Sequence, residues 1–231
     1  MSRPALCSFL FSIAVVAVAV AVPGSARAGC GDDVGGVRVP CQCGDLVVSD
    51  ATLRADDPVV VERCTGDGLI VRGRGLESLR LDLAGHSLVG TGGGTGILVL
   101  DGGIEGATVV GGPDGRSGAV AGFGTGLHGF GVGSVKLVRN VIFRGNLADG
   151  VSLRGADARL EGVVAEANGR DGLRLGGRSV QVDGVQANDN RRFGVRATAA
   201  GVRGAARARG NGRSDVETAA GAGAAALTVS R

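Results

Sequence analysis

The chain of 231 residues has no tryptophan and no tyrosine, and only 6 phenylalanines. It therefore has no aromatic platform on which successive sugars or bases could stack, and its core must be mainly aliphatic. Lysine is almost missing too. Lys136 is the single one, so basic charge is carried by arginine, a bias that points to a GC-rich genome more than to a function. Histidine is limited to His86 and His128 and methionine to Met1, which is poor material for a transition-metal site. Beyond the N-terminal segment no apolar run approaches the roughly 20 residues needed to cross a bilayer. Glycine is abundant at 45 residues, but it does not recur at every third position, which excludes collagen.

The N-terminus has a recognisable order: Arg3, an apolar run from Phe9 to Val22, Pro23-Gly24, and then Ala26-Arg27-Ala28. A charged start, a short apolar stretch and a small-x-small site predict an export signal over residues 1–28, cleaved after Ala28. The remaining 231 − 28 = 203 residues suffice for one domain, and the formal charge falls from +3 to +1 as Arg3 and Arg27 leave. That balance gives no electrostatic case for nucleic acid. The expected location is secreted, periplasmic or cell-surface. Cys30 after Ala28-Gly29 resembles the end of a lipoprotein signal, but Arg27 stands where that signal needs a Leu-like residue, so a lipid anchor at Cys30 is not expected.

Four cysteines follow the signal: Cys30, Cys41, Cys43 and Cys64. In an exported chain they predict two disulfides, with three connectivities available. Cys41 and Cys43 are too close to pair comfortably. Cys30–Cys41 with Cys43–Cys64 is the favoured pairing, stapling an N-terminal cap. A four-thiolate metal site is the competing use, but it would normally present two C-x₂-C pairs where this chain has one C-x-C.

The last third of the chain repeats. Asn146-Leu-Ala-Asp-Gly-Val151 matches Asn168-Gly-Arg-Asp-Gly-Leu173 and Asn190-Arg-Arg-Phe-Gly-Val195, and more weakly Asn211-Gly-Arg-Ser-Asp-Val216; the asparagines are 22, 22 and 21 apart. Towards the N-terminus the mark survives as Gly126-Leu127, Gly96-Ile97 and Gly68-Leu69, and the glycine spacings from 68 to 194 are 28, 30, 24, 22 and 22. Between the marks lie short alternating runs such as Val135-Lys-Leu137, Val141-Ile-Phe143 and Val151-Ser-Leu153. Alternation at period two in runs this short means strands. Three strands per 22 residues predict an all-β, single-stranded, right-handed parallel β-helix of about 6–7 coils, rising about 4.8 Å per coil. We expect a cap and first strands over 29–75, coils over 76–217, and an Ala/Gly-rich tail over 218–231. The recurring Asn suits a left-handed turn residue and an amide ladder through Asn146, Asn168, Asn190 and Asn211. The Gly four residues later suits a positive φ or a close backbone approach.

The N-terminal half carries Cys43-Gly-Asp45, Cys64-Thr-Gly-Asp-Gly-Leu-Ile70 and Leu81-Asp-Leu-Ala-Gly-His-Ser-Leu88. With these elements the chain resembles the bacterial right-handed β-helix repeat family of the pectate-lyase-like superfamily, over roughly residues 41–215. The third element departs from the family pattern Leu-Asp-Leu-Asn-Gly-His-Thr-Ile in having Ala84 for the Asn. The resemblance implies the fold strongly and function weakly, because that superfamily holds lyases, hydrolases and binding proteins. Its copper-handling periplasmic members bring copper to mind, but the scarcity of His and Met argues for structural roles at His86 and His128.

Three further features are candidates for chemistry. Asp149 and Asp171 share one repeat position, so their carboxylates are expected to lie together, as for Ca²⁺ or an acid–base pair; Phe193 ends the row, and aspartates beside turn glycines are more often turn formers. No cofactor is expected, Ca²⁺ being the one considered. Arg191, Arg192, Arg196, Arg203, Arg207, Arg209 and Arg213 run without an acidic residue between Asp189 and Asp215, whereas 29–57 holds six Asp against Arg38 and Arg54. A basic end of this kind would suit an anionic polysaccharide or lipid headgroup, since Arg grips carboxylate and phosphate bidentately. The glycine-rich stretches at 90–96 and 122–133 have no following Gly-Lys-Ser/Thr and no helix, so they are turns rather than phosphate loops. Regular 22-residue coils leave no residues for cleft-walling loops, and only the longer turns over 68–126 offer room for one. The expected function is a non-catalytic extracytoplasmic module that binds glycan or serves as a surface element; the alternative is a polysaccharide lyase or glycoside hydrolase.

Overall fold

The computed structural model describes residues 29–73, 78–101, 106–131, 134–155, 157–177, 179–198, 201–218 and 227–230. The expected export signal lies outside the described residues, as does most of the tail. The chain forms an all-β parallel solenoid of about seven turns with almost no helix. One turn shows the plan: Val151–Arg154 on a first face, Asp157–Glu161 on a second and Val164–Glu166 on a third. Each strand pairs in parallel with its counterpart in the turns before and after, so that Val151 lies beside Leu173 and Leu173 beside Val195. Eight strands stack on the first face, from Asp45–Val47 to Ser214–Thr218. The second and third faces merge where Ser179–Asn188 and Val202–Arg209 run unbroken round the corner between them.

Alternation sends one side chain of each pair inward. Leu69, Ile97, Leu127, Val151, Leu173 and Val195 form an inward column on the first face, all fully buried, and Leu81, Val109, Val138, Leu160 and Val182 form another on the second. On the third face the column runs Leu88, Val120, Phe143, Ala165, Ala187, Ala208, thinning towards the C-terminus. Each turn covers its neighbours' apolar edges, so no turn is a stable unit by itself.

The cap contains a short antiparallel ribbon, Asp33–Val34 with Val37–Arg38, and a four-residue helix at Pro58–Val61. The disulfides are Cys30–Cys41 and Cys43–Cys64. They close short loops, each contributing about 3 kcal/mol through the unfolded chain. With its sulfur joined to Cys41, Cys30 has no thiol to carry a lipid. Buried Asp57 organises the same region. The Arg38 guanidinium donates to both its oxygens, at 2.7 and 2.9 Å, and the backbone N–H groups of Arg54 and Cys41 donate at 2.8 and 3.2 Å. Burial alone would push this carboxyl up, but those donors outweigh it and hold it below the ordinary carboxylate range. Parallel pairing starts within residues 29–75, the segment read as cap and first strands, where Asp45–Val47 pairs with Leu69–Arg72. At the other end Leu227–Ser230 pairs in parallel with residues 204–207.

The asparagines stack in the corner between the third and first faces. The Oδ1 atom of Asn190 accepts from the backbone N–H of Asn168 at 3.0 Å and from its side-chain amide at 2.9 Å, and that amide also donates to the Phe143 carbonyl at 3.1 Å. Asn146 donates to Asn168, and Asn190 to Asn211, in the same way. The left-handed residue is not the asparagine, as its residue type suggests, but the one before it: Gly145, Ala167, Asp189 and Gly210 have φ of 60, 53, 55 and 67°. Placing the kink one residue earlier frees the Asn to turn its amide along the solenoid axis. The glycines four residues on serve close approach rather than positive φ. A Cβ at Gly172 would lie 2.6 Å from Nδ2 of Asn190 and 2.7 Å from the Gly194 carbonyl.

Candidate functional site

The densest group of unusual polar side chains sits where the asparagine corner meets the first face. Asp149 and Asp171 are stacked there, and the Asp171 backbone N–H donates to Asp149 Oδ1 at 3.2 Å. Asp171 is fully buried, and neither of its carboxylate oxygens has a hydrogen-bond partner. Arg196 comes closest, its Nη1 3.9 Å from Asp171 Oδ2, beyond hydrogen-bond reach; Arg170 Nε lies 3.8 Å from Asp149 Oδ1. Burial, and next the neighbouring Asp149, push the Asp171 carboxyl up, against the pull of Arg192, Arg196 and Arg170. Phe193 closes the row, with the guanidinium carbons of Arg192 and Arg196 5.5 and 5.4 Å from its ring centre, within range of cation–π attraction. Arg196 is also ion-paired to Glu217.

Among the described residues no group of three or more His, Cys, Asp or Glu side chains is placed to hold a metal ion. Asp149 and Asp171 alone offer two carboxylates beneath three arginines, a poor fit to the six to eight oxygen ligands of Ca²⁺.

Sequence reading missed one neighbour of this pair. On the outer side of the first face His128 lies in register with Ser152, then Arg174 and Arg196. His128 is held below its ordinary range by burial and by Arg154, against the opposing charge of Asp149. Ser, His and Asp types thus share one patch, but no hydrogen bond joins Ser152, His128 and Asp149 among the described residues, and Ser152 is buried. The hydrogen-bonded chain from nucleophile to base to orienting acid is therefore not formed. The pairing follows the 24-residue step from Gly126-Leu127 to Gly150-Val151, which carries His128 onto Ser152. His86 lies on another part of the solenoid, in the turn between the second and third faces, where its N–H donates to the Leu83 carbonyl. The two histidines are not brought together.

The seven arginines expected to form one basic end do not form one face. Residues 191–213 travel right round the solenoid. Arg191, Arg192 and Arg213 fall at the asparagine corner, Arg196 on the first face, Arg203 on the second, and Arg207 and Arg209 on the third. Arg203 aligns with Gln181, which aligns with Arg159. Arg159 is ion-paired to Glu161 and lies 3.9 Å from Asp183, and Arg139 also pairs with Glu161. The second face is therefore a lattice of alternating charge, not a basic surface.

Comparison with protein-family models, with curated proteins and with solved structures finds no match for this chain.

Proposed function

We propose that the chain is an exported, non-catalytic module that binds an extended anionic glycan along the outside of its solenoid. The carrying observation is the absence, among the described residues, of a chain of hydrogen-bonded catalytic groups at the one patch rich enough to host it, on a body whose outward side chains repeat at rung spacing. Such a surface suits a polymer lying flat and contacting many rungs weakly. Export is supported by the two disulfides, which persist in oxidising compartments. Among the described residues no helix is long and apolar enough to cross a membrane. The raised Asp171 carboxyl beside Asp149 favours a second reading, a polysaccharide lyase or hydrolase, because paired carboxyls with separated proton affinities serve as acid and base. Full burial of Asp171 counts against that use. The test is incubation of purified protein with polyuronates. Binding that weakens with salt, without unsaturated or reducing-end products, is expected; turnover would overturn the reading.

A further inference from the structure

We infer that the glycan contact lies in a groove on the third face, between Arg63 and Arg144, and that its ligand is a short stretch of a linear acidic glycan. This inference rests on the proposed glycan-binding reading and gives it a place. Arg63, Val89, Ala121 and Arg144 stand in one outward row on four successive turns. The two guanidinium-bearing rungs are therefore three steps apart, about 14 Å at the ordinary strand spacing. Between them the floor is bare. Val89 and Ala121 are the outward side chains of the row between them, and the adjoining corner is built mainly from glycine, with Thr91 the polar side chain among Gly90, Gly92, Gly122 and Gly145. The resulting groove measures about 640 Å³, the size of a small-ligand site. Glycine is required at its edge for packing, since a Cβ on Gly90 would lie 2.6 Å from the Phe123 ring.

Leu147 forms the corner wall. It is 66 % exposed, and a Cβ on Gly92 would lie 3.2 Å from its Cδ1. A leucine standing in water over a glycine floor offers an apolar surface to the C–H face of a pyranose. Both arginines are exposed, and neither is ion-paired among the described residues, whereas Arg38, Arg80, Arg139, Arg159 and Arg196 all have carboxylate partners. Glu166 follows Arg144 in the row and lines the end of the same groove, where its charge bars a polyanion from running further. Two free guanidinium groups flanking an apolar floor match a chain of pyranoses with carboxylates set a few units apart, one unit being about one rung long. The C-terminal arginines, by contrast, are dispersed over three faces.

The test is calorimetric titration of the purified protein with oligogalacturonates of three to six units and with neutral oligosaccharides of equal length. Arg63→Ala/Arg144→Ala, Ala121→Glu and Arg207→Ala/Arg209→Ala variants are compared, with melting temperatures as a check that exposed substitutions leave the fold intact. The acidic series should bind and the neutral series should not. The groove double variant and Ala121→Glu should each weaken binding about tenfold or more, the loss of one to two charge-assisted contacts, and Arg207→Ala/Arg209→Ala less than threefold. If loss follows Arg207 and Arg209 while the groove variants bind as before, the groove assignment falls and the glycan reading stands. If no glycan of either series binds, both fall. Equal binding of neutral chains, or a protein dimer that Ala121→Glu dissociates, overturns the assignment of an acidic ligand to this groove.

Discussion

The two halves of the solenoid fill the same corner in different ways. In the C-terminal half, turns of 22 residues place an asparagine there, its amide clamped between those of its neighbours, with Gly150, Gly172 and Gly194 leaving just enough space for the stack. In the N-terminal half, the 30-residue turn from Gly96 to Gly126 puts Phe123 at the corresponding place, after left-handed Gly122. Its ring lies where side chains on Gly68, Gly90 or Gly96 would collide with it, and it is fully buried. The two devices meet where the Phe123 backbone N–H donates to Asn146 Oδ1 at 3.1 Å. The inner column changes in step, from Leu88, Val120 and Phe143 to Ala165, Ala187 and Ala208. Where apolar volume is large, packing holds the turns, and where it shrinks to methyl groups, hydrogen bonding along the axis takes over. The cap, with two disulfides and the Arg38–Asp57 pair, reinforces the half that lacks the ladder.

The largest expected effect comes from forcing one device onto the other half. Phe123→Asn would lengthen the ladder by a rung but empty a packed slot, and should cost about 3–5 kcal/mol in denaturant unfolding. A variant as stable as the parent would show that packing does not distinguish the halves. Asn168→Leu comes next. It strands the backbone N–H and amide of Asn146 in a buried site, at about 2–4 kcal/mol, and an unchanged melting temperature would sink the ladder as a source of stability. The smallest change is a gain. The folded Asp171 carboxyl is raised, so its contribution is complete below the unfolded carboxylate range, near pH 4, and is lost as pH rises through the folded value. Asp171→Asn should therefore melt modestly higher than the parent at pH 7, with the gap closing towards pH 4. A lower melting point at pH 7 would mean that attraction from Arg192 and Arg196 outweighs the burial cost.

The solenoid was legible because its register is written in the spacing. Asn146, Asn168 and Asn190 are 22 apart in sequence and one rung apart in space. The disulfides were legible from cysteine count and proximity. Other features were not, because they depend on which face a residue reaches. Arg191 to Arg213 are clustered in sequence, yet a strand path that circles the body spreads them over three faces. The groove is the converse case: Arg63 and Arg144 are 81 residues apart (144 − 63) and share a row only through the irregular early turns, whose lengths obscure the register. The Ala84 departure is local strain. It sits at φ 51°, a conformation that the Asn of the resembling pattern adopts at lower cost.

The asparagine stack has a direction, and it has a terminus. Each amide hands its hydrogen to the next oxygen along the chain until Asn211, whose amide donates to Asp215 Oδ1 at 2.8 Å, and Asp215 stands where earlier turns keep the fourth-place glycine. Any side chain in that seat blocks the amide of a following rung, and a carboxylate there consumes the last free donor. The length of the ladder is thus written into one residue, and strands that stack beyond it, as Leu227–Ser230 does, must be held by backbone pairing and packing alone.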